Sequence, residues 1–266
     1  MIGSIVGDII GSVYEFHNQK RKDIELNTPN MRFTDDTILT VATMDALLHP
    51  EIGYAKMYKK YFRKYVNSRR GFGGYFYDWG LSDSLKPYNS FGNGSAMRVS
   101  PVAYVSKSIE EVLLLAKQSA EVTHNHPAGI IGAQAIALAI FMARNNYSKD
   151  EIKQEILTRF DYDLSRTLDE IRLENEFNET CPGSVPEALT TFLESTSYED
   201  TIRSAISIGG DSDTIACMAG GIAEAFYGGV GESFVKFAQS RLDDDLNQIV
   251  NEFYRKYGLD LKQYNT

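Results

Sequence analysis

Two short stretches concentrate hard oxygen donors. They are Thr34-Asp35-Asp36-Thr37, immediately before Ile38-Leu39-Thr40-Val41, and Gly209-Gly210-Asp211-Ser212-Asp213-Thr214, immediately before Ile215-Ala216-Cys217-Met218. Each stands where a helix should begin. Plain N-capping accounts for one oxygen per helix, because the first N–H groups have no intrahelical partner and the positive end of the dipole favours an acid. It does not account for two carboxylates flanked by threonine at both places, the second after a Gly-Gly that lets backbones approach closely. Oxygen donors without histidine or cysteine suit Mg²⁺ or Mn²⁺ rather than zinc. Four carboxylates suffice for two ions, and two ions roughly 3.5–4 Å apart can activate a water while holding substrate oxygens.

Three further features stand near these boxes in chemistry, if not in sequence. Ser90-Phe91-Gly92-Asn93-Gly94-Ser95-Ala96-Met97-Arg98 is a glycine-rich loop running into a helix. Such a loop exposes successive N–H groups that can cradle a phosphate, although it lacks the Lys-Ser/Thr of a Walker A loop. Thr123-His124-Asn125-His126-Pro127 places two of the four histidines before a helix-start proline. A capping or surface role for them stands beside a functional one, and a zinc role lacks a third nitrogen or sulfur ligand. In the first segment, Asp8 and Glu15 lie two helical turns apart and so share a face of a helix striped by Gly3, Gly7 and Gly11. The glycine stripe reads as close packing of a buried helix. The acid pair on an otherwise apolar helix points to a cavity.

The elements that position these residues are helical. Ile2, Ile5, Val6, Ile9, Ile10 and Val13 recur at three- and four-residue spacings. The same period marks 38–48, 52–66, 110–122, 128–143, 185–193, 201–208, 214–227 and the segments from Phe234 and Leu246 onward. No pair of alternating runs joined by a hairpin signal interrupts them, so the expected class is all-α, an orthogonal bundle in one domain spanning 1–266. Two stretches resist a helical period: 68–101, rich in glycine, asparagine and aromatics and expected to loop over the surface, and the polar 159–183. Arg69, Arg70, Phe72, Tyr75, Phe76 and Trp79 in this stretch are expected to line or lid a cleft. Asp243-Asp244-Asp245 reads as a helix cap and solvated face, since calcium-loop spacing is absent.

With 266 residues, 43% hydrophobic and 24% charged, the chain can bury one large core without staples. A formal net charge of −9 argues against a broad nucleic-acid or anionic-membrane footprint. Two cysteines without a C-x-x-C suit a reducing compartment. The apolar N-terminus has no basic leader and carries Asp8, so a cytoplasmic location is expected.

Taken together, Gly7-Asp8 with Glu15, the Thr34–Thr37 box, the Gly92–Arg98 loop, Thr123-His124 and the Gly209–Thr214 box resemble the ADP-ribosylglycohydrolase family, in the family's order along the chain. The resemblance implies a cleft with a binuclear centre of two Mg²⁺ (or Mn²⁺), ligated by Thr34, Asp35, Asp36, Asp211, Asp213 and Thr214. It implies Glu15 or Asp36 as the proton-transferring acid, Asn93, Gly94, Ser95 and Ala96 around the diphosphate, and His124 at the ribose, with His126 as a rival. ADP-ribose or an ADP-ribosylated protein or small molecule is the implied partner. The implied activity is hydrolysis at the anomeric ribose carbon. The alternatives are a member that binds ADP-ribose without turnover and a metal-dependent phosphohydrolase.

Overall fold

The structure, a computed structural model, describes residues 1–68, 71–259 and 261. Among these residues there is no strand, and the one extended pairing is an isolated antiparallel bridge between Gly92 and Thr180. The helices are, in order, α1 (Ile2–Gly11), α2 (Asp35–Leu48), α3 (Tyr54–Tyr65), α4 (Gly74–Leu81), α5 (Gly94–Met97), α6 (Ser100–Val105), α7 (Ile109–Glu121) and α8 (Pro127–Arg144). There follow α9 (Lys149–Arg159), α10 (Leu168–Glu174), α11 (Cys181–Glu194), α12 (Tyr198–Ser207), α13 (Ser212–Tyr227), α14 (Glu232–Arg241) and α15 (Asp244–Lys256).

Helices α1 and α13 form the centre. All ten residues of α1 are buried, and α13 is buried from Ser212 to Glu224. They pack backbone to backbone through the glycine stripe. A Cβ on Gly7 would lie 2.1 Å from the Ala216 carbonyl oxygen, one on Gly3 2.5 Å from that of Gly220, and one on Gly11 2.3 Å from the Asp213 Cα. Close packing is thus what the stripe does, and it brings α1 against the N-terminus of α13. Helix α8 is long and apolar enough to cross a membrane, but 67% of it is buried here, against α5, α7, α11 and α13. One hydrophobic cluster runs through all of these helices.

Three local expectations are corrected. Helix α1 ends at Gly11, and Glu15 lies in the turn that follows, where the Tyr14 and Glu15 N–H groups both bond the Gly11 carbonyl. The stretch 68–101 is only in part a surface loop: residues 82–91 run irregular and largely exposed, but the stretch also carries α4 and α5, with Asn93, Ser95, Ala96, Met97 and Arg98 all buried. Periodicity missed α5 because it is four residues long. In 159–183, Thr167 and Glu170 form a capping box that starts α10. Pro182 sits in the first turn of α11, where a missing N–H costs nothing. As expected, Asp243 caps α15 by accepting from the Leu246 N–H, and Asp244 and Asp245 face solvent.

Candidate active site

The cleft opens where α2, α5 and α13 all begin. Its empty volume is about 840 Å³, open solvent included. One wall is acidic. Asp8, wholly buried on α1, caps α2 from outside: its Oδ2 accepts from the N–H groups of Thr34 (2.9 Å) and Thr37 (3.1 Å) and from the Thr37 hydroxyl. Its Oδ1 accepts from Thr34 Oγ1 at 2.6 Å. Because Asp8 and Thr34 satisfy the end of α2, neither Asp35 nor Asp36 is needed as a cap. Asp36 Oδ2 accepts from the Thr214 hydroxyl at 3.3 Å, while its buried Oδ1 has no donor among the described residues.

The second box behaves similarly. Asp211 is the N-cap of α13 by position, yet its side chain caps nothing and instead accepts from Asn93 Nδ2 at 2.7 Å. Gly209 and Gly210, at φ of +70° and +78°, make the turn that aims it. That turn is braced from the segment after α1. Asn18 bonds both the N–H and the carbonyl of Gly210, and Lys20 Nζ donates to the Ile208 carbonyl at 2.7 Å.

Carboxylate oxygens of Asp8, Asp36 and Asp213 lie within 4.8 Å of one another, and so do those of Glu15, Asp211 and Asp213. Asp213 belongs to both groups. No salt bridge neutralises any of these acids among the described residues. Burial first, and then the neighbouring carboxylates, hold Asp35, Asp36 and Asp213 well above the ordinary aspartate range. Burial also raises Asp8, against four hydrogen bonds that pull it down, and Asp211. Half-buried Glu15 is raised to about 7 by burial and by Asp211 and Asp8. A wall of oxygens with no cation and one orphaned buried carboxylate oxygen fits hard divalent cations.

The facing wall is nearly uncharged. The Gly92 loop is pinned by Asn93 N–H to the Glu179 carbonyl (2.8 Å) and Cys181 N–H to the Phe91 carbonyl (2.9 Å). Cys181 also donates its thiol to the Gly92 carbonyl, and burial pushes that thiol up to about 12, so it serves packing rather than chemistry. His124 is buried at the cleft wall, its ring edge against Tyr88 at 5.9 Å between centroids. His126 is a cap: its Nδ1 accepts from the Ala128 N–H at 3.1 Å. The two histidines therefore divide, one facing the cleft and one ending a helix.

The structure brings Glu15, Thr34, Asp35, Asp36, Asn93, Gly94, His124, Asp211, Asp213 and Thr214 together around the cleft. Ser95 and Ala96 lie behind its wall instead, fully buried, the serine donating to the Gly129 carbonyl at 2.7 Å. Of the aromatics expected at the cleft, Tyr75 and Phe76 line it, and Trp79 packs in the core against Phe76. Arg69 and Arg70 lie outside the described residues. Sequence reasoning gave Asp8 no ligand role, although a lone acid in an apolar helix was the available signal. Glu179 and Tyr88, also on the wall, carried none.

An all-helical core whose cleft sets two acid-bearing helix starts against a glycine loop is the architecture of ADP-ribosylglycohydrolases. A family model of that description, ADP-ribosylglycohydrolase, matches residues 1–260, and the chain belongs to this family. It is 28% identical to the ADP-ribosylhydrolase ARH3 of Mus musculus and to that of Homo sapiens, over 86% of this chain and 82% and 84% of theirs. It is 23% identical to the ADP-ribosylarginine hydrolase Tri1 of Pseudomonas putida, over 86% of this chain and 69% of that one. A solved structure described as an ADP-ribosylglycohydrolase-related protein complex shares the fold, with a TM-score of 0.68, 20% identity, and coverage of 96% of this chain and 97% of that one.

Proposed function

We propose that this protein hydrolyses the bond between an acceptor and the anomeric carbon of ADP-ribose, with divalent cations on its acidic wall. The observation that carries this reading is the pair of carboxylate triads sharing Asp213, set in one cleft across from the Gly92 loop and His124. Asp8, Asp36 and Asp213 would hold one cation, and Asp211 and Asp213 a second, with Asp35 and the two threonines beside them and Glu15 at the edge of that second site. Bound there, Mg²⁺ or Mn²⁺ would supply Lewis acidity to a water and positive charge to ribose hydroxyls.

The chain's own groups do the rest. Cleavage at the anomeric carbon passes through an oxocarbenium-like state, in which the acceptor leaves with a proton and water adds to the ribose. Glu15 is better placed than Asp36 to move those protons. It is half-buried at the wall and, among the described residues, no donor reaches its carboxylate, whereas Asp36 is buried and bonded by Thr214. The backbone N–H groups at the start of α5 would receive the diphosphate, which explains how a chain of net charge −9 holds an anion. On the acceptor side we favour arginine. The exposed rings of Phe16 and Phe177 pair at 5.9 Å, next to or near the cleft-lining Glu15 and Glu179, and ring faces with carboxylates suit a planar cation.

The test is chromatographic release of free ADP-ribose from arginine- and serine-ADP-ribosylated peptides, with Mg²⁺ or Mn²⁺ and with EDTA. Metal-dependent release, faster from the arginine peptide, is expected. Release of phosphate instead, or none from either peptide, overturns the reading.

A further inference from the structure

One ring nitrogen of His124 is bonded and the other faces the cleft. The position that a Cβ would take on Gly94 lies 3.2 Å from Nε2, so this glycine keeps the space above that nitrogen open. Behind the ring, Arg98 is fully buried, its guanidinium 4.1 Å from the centre of the Tyr58 ring. A guanidinium is a donor only. Its Nη2 donates to the Ser119 carbonyl at 3.1 Å and to Thr123 Oγ1 at 2.8 Å. Thr123 Oγ1 therefore accepts from Arg98, and it stands 2.7 Å from His124 Nδ1. Thr123 is fully buried, and among the described residues no acceptor other than Nδ1 takes its hydroxyl hydrogen. Were Nδ1 the protonated nitrogen, Oγ1 would accept from both sides and its own hydrogen would be buried unpaired.

We propose that Arg98 and Thr123 form a proton-ordering relay that holds His124 as the neutral Nε2–H tautomer, presenting a hydrogen-bond donor, and not a base, to an oxygen of the ligand in the cleft. Burial, and after it the charge of Arg98, hold the imidazole well below its ordinary value, in keeping with a neutral ring. Thr123 is a positioning residue and Arg98 sets its polarity. The relay leaves proton transfer to the acidic wall and gives His124 a recognition task, for a hydroxyl or phosphate oxygen with a free lone pair. That this oxygen belongs to ADP-ribose rests on the proposed function. The tautomer does not.

Long-range proton–nitrogen NMR correlation on the full chain, labelled at histidine nitrogens and assigned with His124→Gln, reads the tautomer at neutral pH without ligand. The expected result is an unprotonated Nδ1 and a protonated Nε2, lost in Thr123→Val and restored in Thr123→Ser. Titrated ADP-ribose should bind about 3–10-fold more weakly to Thr123→Val, the weight of one neutral hydrogen bond, and normally to Thr123→Ser. A protonated Nδ1 or an imidazolium in the parent protein overturns the relay. The expected tautomer in a protein that does not bind ADP-ribose upholds the relay and overturns the ligand assigned to the cleft.

Discussion

The two walls of the cleft solve opposite problems. The acidic wall crowds six carboxylates, Asp8, Glu15, Asp35, Asp36, Asp211 and Asp213, with no counter-charge among the described residues, an arrangement that costs stability. The Gly92–His124 wall carries few charges: Glu179 lines the cleft beside it, and Arg98 is buried behind the imidazole. The glycines differ in the same way. Gly209 and Gly210 are there for a left-handed turn, and Gly94 for the room it leaves beside His124. On the proposed reading, one wall would be completed by cations and the other would meet the anionic ligand.

That division can be broken first at Asp213, which both triads share. Asp213→Asn should abolish metal-dependent turnover, by more than the roughly 10–100-fold typical of a partner one shell out. Its ADP-ribose affinity without metal should stay near that of the parent. Asn93 crosses between the walls, donating to Asp211. Asn93→Ala should weaken Mn²⁺ binding by about 10–100-fold, measured by calorimetry, and equal affinity would separate the loop from the metal wall.

Gly7→Ala tests the clamp beneath both walls. A methyl 2.1 Å from the Ala216 carbonyl oxygen must push α1 off α13, costing at least about 1–3 kcal/mol in denaturant unfolding. Gly94→Ala sharpens the contrast. It should lower ADP-ribose affinity several-fold and leave Mn²⁺ affinity unchanged, because its Cβ meets only His124.

The smallest effect is in pH. Raised acids keep their protons in the folded state, so the metal-free protein loses stability from this wall as pH climbs from 4.5 through about 7, the span set by Glu15. Mn²⁺ competes with those protons, and its gain in Tm should grow across the same span. A gain that is flat or falls with pH would count against cations at this wall.

The acidic wall was legible in the sequence because each box is contiguous and sits at a helix start, where a side chain's direction follows from local rules. The glycine stripe was legible for the same reason. Glu15 lay in the right place for a partly wrong reason: it was expected on the helix and stands in the turn after it. The neutral wall was read only in outline. Ser95 and Ala96 turn inward because α5 packs on α8, and the choice between His124 and His126 depends on which ring caps Pro127–Arg144. Asp8's role as an external cap for α2 and the Arg98–Thr123 contact join residues distant in sequence, and no periodicity encodes them.

The most direct measurement is the number of Mn²⁺ ions bound per chain, titrated into EDTA-stripped protein and into Asp213→Asn. Two ions in the parent, and loss of tight binding at both positions in the variant, are the expected result. One ion or none in the parent, or two undiminished in the variant, would contradict a centre built around a shared Asp213.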